Sequence, residues 1–178
     1  TLNFLQSLTS PNIKVAPVLD GAIKAEEWPQ APQAHLVETD THAFFAHDQK
    51  HLYVAARRTA PELSDKSLRR GKVTWTTQTK GEDAEVWKDD SFELFISDAK
   101  SSRILRIGAS LSGARFDALD KDTGWNGNWS HVAKADSNGL TLEMAIPWKL
   151  LLDAGFNRDQ LRINFQVNGE AGMSEALT

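Results

Sequence analysis

The segment Trp87-Lys88-Asp89-Asp90-Ser91-Phe92-Glu93-Leu94-Phe95-Ile96 puts an indole and three carboxylates on one short stretch. Read as an extended strand it has two faces, because successive side chains alternate. Phe92, Leu94 and Ile96 share the apolar face, and Trp87, Asp89, Ser91, Glu93 and Phe95 share the other. In 103–111, Leu105, Ile107, Ala109 and Leu111 oppose Ile104, Arg106, Gly108 and Ser110. In 161–168, Leu161, Ile163, Phe165 and Val167 oppose Arg162, Asn164, Gln166 and Asn168. If the three strands are neighbours, Glu93, Arg106, Gln166 and Asn168 share one polar face with Trp87 at its rim. Carboxylate, guanidinium and amide groups make charge-assisted or bidentate hydrogen bonds, and an indole offers a flat apolar surface. That combination suits a pyranose, whose C–H patches stack and whose hydroxyls need planar partners. Polar rows are also what any solvated sheet face carries, so the pattern alone leaves both readings open.

Two other chemistries are weaker. Asp89 and Glu93 suggest a glycosidase, which needs two carboxylates roughly 5 to 9 Å apart across a sugar. Four residues of extended strand separate these two by about 13 Å. His42, His47 and His51 suggest zinc, but His42 and His47 have opposite parity on one strand and do not converge. They are expected to be exposed histidines.

The elements that must position these groups are short strands. Turn residues separate period-two segments at 13–18, 34–38, 42–47, 52–57, 92–97, 103–111, 114–119, 131–136, 140–146 and 161–168. Ser112-Gly113 and Ser137-Asn138-Gly139 read as hairpin turns. One short helix is predicted over 148–152, with Pro147 in its first turn and Gly155 closing it. So many strands with so little helix predict an antiparallel β-sandwich, jelly-roll or immunoglobulin-like. The charged stretch 61–85 lacks periodicity and reads as an inserted functional loop.

Composition narrows the field. The chain has 178 residues, enough for one domain. Cysteine is absent, which excludes disulfides, thiol catalysis and Cys-ligated metals. A net charge of −4 argues against a general phosphate-backbone binder, so no nucleic-acid partner is expected. No apolar run approaches the roughly 20 residues of a membrane span. Six Trp accompany a single Tyr, so the placement of the indoles matters. Trp28 and Trp148 read as packing anchors. Trp125 and Trp129 lie in the Gly/Asn-rich run Gly124-Trp125-Asn126-Gly127-Asn128-Trp129, which fits either a binding loop or a hairpin with inward indoles.

Five motifs in order resemble family 9 carbohydrate-binding modules, within the sandwich group related to DOMON domains. They are Val18-Leu19-Asp20-Gly21-Ala22-Ile23 with Glu27-Trp28 and Ala31, then Leu52-Tyr53-Val54-Ala55, then Trp87 to Ile96. Leu142-Glu143-Met144-Ala145-Ile146-Pro147-Trp148 and Asn164-Phe165-Gln166-Val167-Asn168 complete the series. The resemblance implies a sandwich over 15–178, after a lead-in at 1–14, that binds a sugar or the end of a polysaccharide chain without catalysis. It implies that Trp87 stacks on the sugar and that Glu93, Arg106, Gln166 and Asn168 bond to it. The family closes its slot with a second tryptophan near the C-terminus. Here Trp75, Trp125 and Trp129 are the candidates for that place, and the final strands are expected to be lacking. Structural calcium is also implied, with no ligands assignable. The expected setting is extracellular or periplasmic, as an accessory part of a larger exported bacterial polypeptide. Two alternatives are a haem-binding DOMON-like domain using Met144 or Met173 as axial ligand, and a purely structural sandwich.

Overall fold

The computed structural model describes residues 10–29, 31–60, 74–100, 102–169 and 173–176. Among the described residues ten strands form two five-stranded sheets, and each pairing between neighbouring strands is antiparallel. Sheet A has the order β1-β2-β3-β8-β7, with β1 Ala34–Leu36, β2 Thr41–His47, β3 His51–Thr59, β8 Gly139–Pro147 and β7 Ser130–Asp136. Sheet B has the order β10-β9-β4-β5-β6, with β10 Met173–Ala176, β9 Leu161–Gly169, β4 Ser91–Asp98, β5 Leu105–Ser110 and β6 Arg115–Leu119. The predicted antiparallel sandwich is the fold. One short helix, α1 Trp148–Asp153, follows β8 and buries Trp148 and Leu151.

The alternation read from the sequence decides what lies between the sheets. Phe45, Val54, Leu142 and Met144 come from sheet A, and Phe92, Leu94, Ile107 and Phe165 from sheet B. Each such side chain contributes roughly 1.5–3 kcal/mol on leaving water. Polar ties also join the sheets. Arg58 on β3 pairs with Asp90, just before β4, at 2.6 Å with both side chains almost fully buried. Glu175 on β10 accepts the amides of Glu38 and Thr39, in the turn before β2, at 3.0 and 2.7 Å.

Several expectations are adjusted. Residues 13–18 form no strand; Ile13 gives one backbone bond to His47, and Val15 and Val18 are exposed. Pro17 has no N–H to continue a ladder there. The structure adds β10, beyond the last strand read from the sequence. Of the lead-in, residues 1–9 lie outside the described residues, as do residues 61–73 of the charged stretch.

Candidate functional site

The outward face of sheet B gathers the five residues of the polar row. Strand β4 lies between β9 and β5, so Glu93 stands opposite Gln166 on one side and Gly108 on the other. Ser91 stands opposite Asn168 and Ser110. The Glu93 side chain is fully buried, although it projects from the outer face. One oxygen accepts Arg106 Nε at 2.7 Å and pairs with Nη2 of the same guanidinium at 2.6 Å. The other accepts Asn168 Nδ2 at 2.9 Å. Gln166 donates to Asn168 Oδ1 at 2.8 Å, and Asn168 Nδ2 also reaches Ser91 Oγ. The network thus runs Arg106, Glu93, Asn168, Gln166 across three strands. Its two ends, Arg106 and Gln166, are partly open to solvent.

Packing explains why Glu93 can lie flat. A Cβ at Gly108 would stand 2.9 Å from Glu93 Cγ and 2.9 Å from Val86 Cγ2. Glycine inside a strand signals close approach by another group, and here two side chains use the space. Val86 belongs to a 3-10 turn, Val86–Lys88, and is fully buried against Ala114, Phe116 and Ala118. That anchor sets Trp87 over the guanidinium of Arg106, with the ring centroid 4.4 Å from Cζ. Phe116 meets the indole edge-on at 5.2 Å. The sequence placed Trp87 on the strand; it lies one turn before it, half-buried and still beside the row.

The neighbouring carboxylates serve the chain itself. Asp89 accepts the Gln78 and Thr79 amides and the Thr79 hydroxyl, at 2.7, 3.0 and 2.6 Å. Burial resists its charge, but the Thr79 hydroxyl and the two amides outweigh that and hold its carboxyl below the usual range. Asp90 takes the Thr76 amide and Arg58. Both anchor the 76–79 segment.

The three loop tryptophans do not gather at this face. Trp75 packs on the main core, with Arg58 over its ring at 5.5 Å. Trp129 is 3% exposed; its Nε1 donates to Asp117 at 2.6 Å and Arg115 lies over its ring. It closes the inner edge of the sandwich and leaves no face for a ligand. Trp125 lines an open cleft of about 560 Å³ with Asn126, Asn128, Lys149, Leu150 and Asp153 beside α1. The anchors hold: Trp28 and Trp148 are buried, and their indole nitrogens donate to Glu143 and to the Asp48 carbonyl.

Sequence reasoning missed Gly108, Val86 and the Arg58–Asp90 tie. The first had a signal, since Gly108 interrupts an otherwise substituted strand. Of the haem alternative's methionines, Met144 is fully enclosed in the core. For calcium, among the described residues one group of metal-ligating side chains converges, His35, Asp40 and His42. Two of its donors are imidazoles, and calcium takes oxygen ligands, so that group does not fit calcium.

No protein-family model matches the sequence, and no curated protein does. Solved structures do resemble it. A candidate carbohydrate-binding protein from Bacteroides uniformis superposes with a TM-score of 0.58 at 10% identity, covering 95% of this chain and 90% of that one. A family 9 carbohydrate-binding module from Caldicellulosiruptor kristjanssonii in complex with cellotriose gives 0.49 at 17% identity, covering 94% and 80%. The glucose complex of a family 9 module from the same organism gives 0.48 at 17%, covering 93% and 82%. At these identities the likeness is one of fold.

Proposed function

We propose that the chain is a non-catalytic carbohydrate-binding module whose site is the outward face of sheet B. The observation that supports this most is the Glu93-centred network. A fully buried carboxylate orients Arg106 and Asn168, and the partly exposed ends of the network, Arg106 and Gln166, border a half-buried indole. Donors held this way have little freedom left to lose when a hydroxyl group binds. The sugar ring rests on the open part of Trp87, and its hydroxyls take the Arg106 and Gln166 donors. Such a site binds weakly, on the order of micromolar to millimolar. Catalysis is not part of this reading. A glycosidase's general acid needs a raised pKa, whereas Asp89 is lowered and tied to its own loop. The setting we propose is extracellular or periplasmic, within a larger exported polypeptide that acts on polysaccharide.

A second reading has its own observation. Arg106 already stacks on Trp87 at 4.4 Å, covering an indole face that a sugar could use. On that ground sheet B's outer face is a structural seal. Titration of the protein with monosaccharides and oligosaccharides, glucose and cellotriose among them, followed by Trp fluorescence and calorimetry, separates the two. Binding that Trp87→Ala weakens by roughly 1–3 kcal/mol supports the module. Silence toward every glycan supports the seal.

A further inference from the structure

We propose that His35, Asp40 and His42 bind one divalent transition-metal ion of the zinc class, at a site on sheet A separate from the Glu93 network. His35 on β1 and His42 on β2 are direct cross-strand partners. Their rings stack with centroids 4.2 Å apart and an interplanar angle of 8°. His35 Nε2 lies 3.1 Å from Asp40 Oδ1. One donor atom from each residue lies within 4.8 Å of the other two. Zinc bonds of about 2.0–2.2 Å in a tetrahedron bring donors somewhat closer than that. In the stacked arrangement the two rings hold their nitrogen lone pairs in nearly parallel planes, so binding turns the exposed His35 ring out of the stack about its side-chain bonds while the strand pairing stays in place.

The backbone that presents the carboxylate is fixed. Asp40 sits in the left-handed region at φ 45°, at the end of the turn into β2. Its carbonyl accepts the Thr59 amide at 3.1 Å, from β3. The Glu175 carboxylate holds the two preceding amides of the turn, from the other sheet. Strand pairing fixes the two histidines in the same way. A site on such rigid supports loses little entropy when it is occupied.

The donor set names the ion. Two imidazoles and one carboxylate suit zinc, cobalt, nickel or copper rather than calcium or magnesium. The His35 and Asp40 side chains are 43% and 38% exposed, so the ion can enter from solvent and keep water on its remaining positions. Once bound it clips the three-residue edge strand β1 to β2. The sequence considered His42 with His47 and His51. The partner it lacked was His35, which the register of β1 brings alongside.

The test is calorimetric titration of the tag-free protein with zinc chloride, with cobalt(II) chloride as a spectroscopic probe. Expected are one zinc per chain, a rise in melting temperature with zinc, and visible ligand-field absorption with cobalt. His42→Gln and His35→Gln should each weaken zinc by about tenfold or more. His35→Gln, at an exposed edge, keeps the test valid should His42→Gln misfold. Calcium chloride should give no comparable heat at this site. The proposal is overturned if the wild-type protein takes up no zinc, or if His35→Gln binds zinc as tightly as wild type. Glycan binding at Trp87 should be the same with and without zinc.

Discussion

Glu143 and Glu93 stand on the outward faces of opposite sheets, and both are fully buried. Their uses differ. Glu143, on β8, accepts the Asp20 and Gly21 amides at 2.9 and 2.6 Å and the Trp28 indole N–H at 3.0 Å. Those contacts pull the N-terminal segment over sheet A, where Trp28 packs with Ala46, Tyr53 and Ala55. Among the described residues, Glu93 accepts side-chain donors alone, Arg106 and Asn168, in a chain of hydrogen bonds whose ends reach solvent. The same residue type at the same burial therefore fastens a strap on one face and orients a polar surface on the other. What separates the two is the source of the donors. Backbone amides and an indole close a face over, whereas long polar side chains leave donors at the surface.

The largest test of this contrast is Glu143→Ala. It strips the acceptor from three donors, so thermal or urea unfolding should register a loss of about 3 kcal/mol. Sugar affinity should be unchanged wherever the chain is still folded; a parallel loss of affinity would erase the distinction between the faces. Glu93→Ala comes next. Arg106 is about a third exposed and can find water, so the stability loss should be nearer 2 kcal/mol. Here the glycan response should vanish, and a full response would assign the face a structural role. Gly108→Ala is milder. Its Cβ displaces Glu93 and Val86, costing about 1–2 kcal/mol and loosening Trp87, which titration would read as weaker sugar binding.

The smallest effect is in pH. Burial raises the Glu143 pKa above the ordinary 4.5, despite the Gly21 and Trp28 hydrogen bonds. The proton-linked part of its contribution, apart from its role as acceptor, is therefore fully present below 4.5 and fades as pH rises through the raised value. Asp89, on the other side, is lowered from 3.8, so its contribution is present above 3.8 and fades as pH falls through the lowered value. Melting curves across the acid range should show Glu143→Gln flattening the upper limb and Asp89→Asn the lower one. Identical profiles for the two variants would contradict this assignment of opposite signs.

The two faces were not equally legible in the sequence. The Glu93 row could be read because strand parity is local, and β9, β4 and β5 turned out to be adjacent. The anchoring roles of Trp28 and Trp148 are also readable, because large aromatics are most often packed against the core. The link between Trp28 and Glu143 is not, although both residues lie in motifs that carry the family resemblance. Parity says which way Glu143 points, but not which distant segment covers it. Trp129 was ambiguous for a similar reason: its fate depends on Asp117, an inward-facing acid on β6 that supplies its acceptor. His35 gained its significance only through the register of a three-residue strand, too short to be aligned from pattern.

The clasp at Glu143 also sets a timetable for synthesis. The amide of Asp20 and the carboxylate that holds it are 123 residues apart. At roughly 5–20 residues per second, a ribosome needs on the order of ten seconds to bridge that gap. Until β8 has left the exit tunnel, Trp28 has neither its acceptor nor the finished sheet beneath it. The strap is thus made well before the strand that secures it, and in that interval its indole is exposed to whatever the nascent chain meets.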